Sequence, residues 1–493
     1  MSRYTTIQQP ADSGYSQPSA TSSNASLVHD QPQPSRNEKL YCPESWGRVE
    51  DPNLYCPGGF HPVTLGDRLG ENGRFRVVAK LGNGAFGIYF WIHGPNGDHL
   101  CHVSPLYGPA IYHLHDLYSP CPSFLKDVCY QLVDSMAFLH QHGLCHGDFR
   151  PANILLSLLP GTDEWPEEEI IKLYGEPKTV AVHAVDEEGG WDYEIEPNVP
   201  SYLIEAGEFD LGSGACSSNI AVIDFGMAYF LDNPPTVCAI PFKLSSPEGI
   251  FSNERIGWPA DMWSLACTLL YTATGSYPFG DDDHESTPWL VVEDMERLMG
   301  PMPLRYRPLL TTCVSAGRDL TEQQLTDPSR CATFTLPESG ASTFKGNSGV
   351  IRNRIFVNHM IPWTSAEYEE LANQDKTWKK TGRLPKFVRA AGAGGELTWS
   401  PSPLHDSEDG EALLDLLLSI FKWEPTERAT AKKLLKHPWF ENCRSHDGGS
   451  RGHLGRIGEE TWMNRTVRRR VVWILCGLLV GVVSFRLRKS ISG

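Results

Sequence analysis

The stretch that decides the fold is "CHGDFRPANILL", Cys145 to Leu156. It sets Asp148 and Asn153 five residues apart in a short loop that runs into an apolar segment. A loop of that length, closing on itself, brings a carboxylate and a carboxamide together. The carboxylate suits an acceptor hydroxyl that must be oriented and deprotonated, and the amide oxygen suits a divalent cation. Upstream, Leu125, Val128, Leu132, Met136 and Leu139 recur at helical spacing between Ser123 and His142, and Gly143 supplies a stop. Downstream, "AVIDFGMAYF" puts Asp224 at the end of an apolar strand, on a glycine-containing turn suited to a second metal-binding carboxylate. A surface turn is the lesser alternative for either motif alone. In this order, after a helix and between strands, they point to phosphoryl transfer.

The rest of the chain bounds that reading. It has 493 residues, enough for a large domain plus tails, with 40% hydrophobic and 10% aromatic residues to build a core. A net charge of -17 argues against direct nucleic-acid binding, which needs a basic face, and is compatible with a basic peptide substrate. The 13 cysteines are scattered without a C-x-x-C pair. With no N-terminal signal peptide evident, they read as free core thiols of a reduced, cytosolic domain.

Composition divides the chain. Residues 1–60 form a low-complexity N-terminal region, rich in Ser, Gln, Pro, Thr and Asn and expected to be disordered over the first 38 or so. Ordered sequence is expected from near Trp46 or His61, in a domain over 61–445. "FRVVAKLGNGAFGIYFWI" reads as strand, Gly turn, strand, and "HLCHVSPL" as a further strand. Residues 158–218 and 281–400 are acidic or Gly/Ser/Pro-rich and read as insertions. "EALLDLLLSIFKW" is an amphipathic helix with acidic residues before it, and Thr430 is placed to cap the next one. After a basic linker at 446–470, residues 471–485 carry no charge and are flanked by arginines. A membrane span wants about 20 apolar residues, with roughly 17 as the lower end, and snorkelling arginines can stretch a short one. This segment is read as a C-terminal membrane anchor, against the alternative of a buried or surface helix.

Three further pieces complete a pattern: "LSSPEG" with Glu248, "PADMWSLACTLL" with Asp261, and "WEPTERATAKKLLKHPWF" with Arg428. Together with the loop at 148–153 and the D-F-G triplet, they resemble the eukaryotic protein kinases, above all their large C-terminal lobe. Ser246 before Pro247, "IPFKLSSPE", the insertion after the catalytic loop and "VEDMERLMGPMP" look most like the SR-protein-kinase branch as found in fungi. The resemblance covers roughly residues 65–280 and 400–440. It implies an α+β, two-lobed fold with a small β-rich lobe at 61–107 and a mostly helical lobe at 108–445. It implies ATP and Mg2+ as cofactors and a protein substrate phosphorylated on Ser or Thr, with basic, Ser/Arg-rich sequences favoured. Asp148 would be the base, Arg150 would lie near the γ-phosphate, and Asn153 and Asp224 would hold the metal. Glu248 would pair with Arg428, and Asp261 would tie down the catalytic loop. "LGNGAFG", with Leu81, Gly82, Gly84 and Gly87, matches the loop whose backbone N–H groups cover the nucleotide phosphates. The setting implied is cytoplasmic or nuclear, with the tail holding the chain to an intracellular membrane. Oligomeric state has no signal here.

The departures carry as much weight. Gly147 stands where the family has the Arg of H-R-D, which pairs with a phosphate on the activation segment, so activity is expected not to need that phosphate. Arg150 replaces the usual Lys, keeping the charge in a planar fork. Ala266 replaces the Gly of D-x-W-S-x-G. Most seriously, no Lys, Arg or Glu occurs from Leu81 to Leu125, and Gly87 and His99 are only 12 residues apart, joined through "HGPNGDH". The family's strand with its Lys and helix with its Glu, the pair that grips the α- and β-phosphates, do not fit in that space. Lys80 precedes the Gly loop, and strand alternation against Leu81 turns it away from the nucleotide. Either codons have been lost from the sequence of an active kinase, or the chain is a truncated pseudokinase that acts as a scaffold. A small-molecule phosphotransferase of the aminoglycoside-kinase type also carries "HGD…N" and "IDFG", but lacks the S-P-E segment, the D-M-W-S helix and the late Arg.

Overall fold

A computed structural model describes most of residues 40–444; outside it lie 1–39, 81–87, 281–287, 307–350, most of 353–407 and 445–493, with shorter breaks elsewhere. The architecture is α+β. A β-hairpin, Ile88–Gly94 with Gly97–Val103, lies toward the N-terminus, and helices dominate after residue 122. "HGPNGDH" makes the expected turn, with Gly94 opposite Gly97 in the antiparallel register.

The large core forms around two helices, Pro122–Gln141 and Trp258–Thr274. In the first, Leu125, Val128, Leu132, Met136 and Leu139 all turn inward, as their spacing requires. Gly143 (φ 73°) follows it in the left-handed region. The second is buried on nearly every side, and Trp263 stacks on Phe279 at 5.2 Å and meets Phe421 edge-on at 5.0 Å. Glu408–Leu418 is helical with Glu408, Asp409 and Glu411 in its first turn, where the helix dipole favours them. Asp409 also accepts from Lys126 at 2.6 Å, fastening this helix to the first. The Thr430 hydroxyl caps the helix Ala431–Leu434 by accepting from Lys433 N. Cys42, Cys56, Cys129, Cys216 and Cys267 are free thiols, and burial pushes the Cys216 thiol up to about 12.

Two boundaries differ from expectation. The described chain starts at Leu40, inside the region taken as low-complexity. Leu40–Pro43 pairs antiparallel with Thr179–Val185, Leu40 opposite Val185. The insertion at 158–218 is a folded unit containing the helix Glu167–Tyr174 and a sheet completed by Tyr202–Ile204. Tyr41, Tyr55, Val182, Ala184, Val199 and Leu203 form a small separate core between these pieces. The second insertion begins after 281, because Pro288–Met299 is a core helix with Val291, Met295 and Leu298 buried at helical spacing. The linker at 446–470 and the apolar segment at 471–485 lie outside the described residues, and no described helix is long and apolar enough to cross a membrane.

Candidate active site

Two antiparallel strand pairs set the site. Leu144–Cys145 pairs with Tyr229–Phe230, and Ile154–Leu158 pairs with Cys216–Val222. The loop between the first strands of the pairs and the turn between the second strands are therefore held side by side. Ile223 N donates to Asn153 O at 2.9 Å across the gap.

Asp261, in the first turn of its helix and 2% exposed, anchors the loop from below. Its Oδ2 accepts from His146 N at 2.7 Å and its Oδ1 from Gly147 N at 2.9 Å. His140 Nε2 lies 3.2 Å from the same Oδ2. His146 bridges loop and turn, with Nε2 3.0 Å from Ile223 O and Nδ1 accepting from Asp148 N at 3.3 Å. Burial lowers the His146 pKa, and the Asp261 charge opposes it only in part, so the ring is neutral with its proton on Nε2.

Asp148 is 6% exposed. Asn153 Nδ2 donates to its backbone carbonyl and to its Oδ2, each at 2.8 Å, and Arg150 Nε donates to Oδ2 at 3.0 Å. The other carboxylate oxygen, Oδ1, is buried and makes no hydrogen bond among the described residues. An acceptor left unpaired in that way is costly unless a donor arrives from outside. Asn153 uses its amide nitrogen on Asp148, so its oxygen is the end left for a cation. Asp224 sits in the left-handed region (φ 63°, ψ 67°) and its Oδ1 accepts from Gly226 N at 3.3 Å. A carboxylate and an amide oxygen on neighbouring segments are hard donors and fit Mg2+.

Gly147 now has a physical reason. Its φ is 77°, and a Cβ there would stand 2.2 Å from the Met227 carbonyl oxygen. Loop and turn approach closely at this point, a constraint that sequence reading did not assign to it. Glu248 and Arg428 are in contact: both guanidinium NH groups donate to the carboxylate at 2.7 Å. Arg428 also donates to Pro259 O at 2.8 Å and lies over Trp263, 5.0 Å from the ring centre. Leu81, Gly82, Gly84 and Gly87 lie outside the described residues. His140 was missed as a contributor, and His146 was read only as the first residue of the H-x-D-x-x-x-x-N pattern.

The arrangement of anchored loop, D-F-G turn and glutamate–arginine lock is that of the protein kinases. Residues 214–440 match the family model of the protein kinase domain. The chain is similar to the serine/threonine-protein kinase AFC1 of Arabidopsis thaliana, 24% identical over 352 residues, 70% of this chain and 56% of the relative. It is similar to the dual specificity protein kinase KNS1 of Saccharomyces cerevisiae at 25% identity, over 71% of this chain and 46% of the relative. The dual specificity protein kinase CLK1 of Mus musculus is 22% identical over 81% of this chain and 60% of its own. The chain thus spans about half the length of these relatives.

Proposed function

We propose that this chain is a protein kinase that transfers the γ-phosphate of ATP to Ser or Thr in protein substrates, Ser/Arg-rich ones included. The observation that carries this reading is Asp148, with Oδ2 gripped by Asn153 and Arg150 and Oδ1 buried without a partner among the described residues. Oδ1 would accept the proton of the substrate hydroxyl while Oδ2 fixes the carboxylate plane. Asn153 and Asp224 would hold Mg2+, and Arg150 would turn toward the transferred phosphate. Bound ATP with Mg2+ supplies the phosphoryl group and neutralises its charge. The Leu81–Gly87 loop would cover the nucleotide. Glu248, Asp261 and Arg428 would act structurally, by fixing the loop and the segment that receives substrate. The basic-substrate preference is supported by the net charge of -17. A cytoplasmic or nuclear setting, with residues 471–485 anchoring the chain to an intracellular membrane, rests on sequence alone.

A scaffold reading competes because no Lys, Arg or Glu occurs from Leu81 to Leu125. The full chain, incubated with Mg2+ and labelled ATP, is expected to label a Ser/Arg-rich peptide, and Asp148→Asn to remove the label. Wild-type labelling no greater than that of Asp148→Asn would overturn the kinase reading in favour of the scaffold.

A further inference from the structure

The turn of the hairpin Ile88–Val103 is exposed at Gly94, Pro95, Gly97 and Asp98, yet one of its side chains is enclosed. Asn96 is 1% exposed. Its Nδ2 donates to Phe60 O at 2.6 Å and to Asn198 O at 2.9 Å, and its backbone carbonyl accepts from Gly58 N at 2.8 Å. One side chain thus joins three stretches of sequence: the hairpin turn, the N-terminal segment and the insertion. Asn198 Nδ2 in turn donates to Tyr55 O at 3.1 Å, closing the ring of contacts.

The surrounding contacts repeat the pattern. Gly94 packs so tightly that a Cβ there would stand 2.3 Å from the His61 ring, and His61 meets His99 edge-on at 5.1 Å. Leu65 N donates to the Tyr202 hydroxyl at 3.1 Å. Lys80 pairs with Glu50 of the N-terminal segment, both half-buried, and its carbonyl accepts from Gly207 N of the insertion at 2.8 Å. The Glu50 carboxylate is also bonded by the Tyr55 hydroxyl. Behind these contacts lies the small core of Tyr41, Tyr55, Val182, Ala184, Val199 and Leu203. Hairpin and Lys80 are therefore gripped by the same two elements, which lie far apart in sequence.

We propose that the segment 40–66 and the insertion strands Thr179–Val185 and Tyr202–Ile204 form a brace that positions the hairpin for nucleotide binding, with Asn96 as its keystone. This rests on reading the hairpin as part of the nucleotide-binding lobe. Asn96 is a positioning residue: it touches no reacting atom and acts by holding the hairpin. In a lobe lacking the usual strand and helix, the insertion takes over a supporting role that is otherwise internal to that lobe.

The test uses the full chain and two readouts. Hydrogen exchange of the hairpin amides 88–103 is compared in wild type and Asn96→Ala. We expect exchange at least ten-fold faster in the variant, with the amides of helix Trp258–Thr274 unchanged. The second readout is KM for ATP, expected to rise several-fold with kcat within two-fold. Unchanged hairpin exchange overturns the brace, whether or not the protein turns over ATP. Equal acceleration in hairpin and helix also overturns it, because Asn96 would then matter only for global stability. Faster hairpin exchange in a protein that never transfers phosphate leaves the brace standing and removes the kinase reading. If Asn96→Ala does not fold, Tyr202→Phe, which removes one hydroxyl, carries the same comparison.

Discussion

Asn153 holds Asp148 twice with one nitrogen, at the backbone carbonyl and at Oδ2, both at 2.8 Å. The grip orients the carboxylate without using Oδ1. Replacing Asp148 by Asn keeps the shape and removes the base. We expect kcat to fall by about 10²–10⁴-fold, the usual worth of a positioned general base, with the melting temperature within a few degrees of wild type. Steady-state phosphorylation of a Ser/Arg-rich peptide checks it.

Asp224→Asn should abolish transfer to the same peptide, because a neutral amide holds Mg2+ weakly where a carboxylate is needed. Undiminished activity in that variant would sink the metal assignment.

The Glu248–Arg428 pair is bidentate and the Arg428 side chain is fully buried. Removing one partner strands the other charge. Arg428→Ala should cost about 3–5 kcal/mol of unfolding free energy, read from urea denaturation. Arg428→Lys should recover only part of it, since an ammonium cannot reproduce two parallel bonds. Full recovery by Lys would show that the fork geometry is irrelevant.

Gly147 in place of arginine removes the usual phosphate-binding side chain. The stretch from Asp224 to Glu248 holds one basic residue, Lys243. Its ammonium lies over the Tyr277 ring at 4.0 Å. Phosphatase treatment of the purified protein should therefore leave kinase activity unchanged. A loss of activity would contradict that expectation.

Acid should loosen the molecule from two places. Burial lowers the pKa of His146, and burial together with His99 lowers that of His61, each below the ordinary 6.5. For a group with a depressed folded pKa, the stability is present above its unfolded value and is lost as pH falls toward the folded one. The melting temperature should hold between pH 8 and about 6.5 and then decline toward pH 5, with a shallower decline in His146→Asn. A flat profile across that window would remove histidine burial as the cause.

Much of the site was legible because it is local. Asp148 and Asn153 are five residues apart and close their own loop, and the core face of Pro122–Gln141 follows from helical periodicity alone. What escaped is non-local or conformational. Leu40–Pro43 is four residues long and finds its partner some 140 residues on, at Thr179–Val185, so nothing near it marks it as a strand. Asn96 sits in a turn that any Pro-Asn-Gly sequence would make, and its burial comes from Phe60 and Asn198. The need for glycine at 147 comes from the Met227 carbonyl, which no reading of residue 147 and its neighbours contains. The start of the second insertion was misjudged for the same reason: composition marks polar stretches, whereas the helix Pro288–Met299 is defined by what it packs on.

The lock between Glu248 and Arg428 spans 180 residues of chain. During synthesis Glu248 leaves the ribosome long before its partner exists. At about 5–20 residues per second, that interval is on the order of ten seconds or more. Through it, Trp263 and Phe279 also wait for Phe421, which covers them in the finished core. The helical lobe is thus completed only when its last helices emerge. A nascent chain of this protein presents a large unfinished apolar surface to the cell, and it is there that a chaperone would have most to hold.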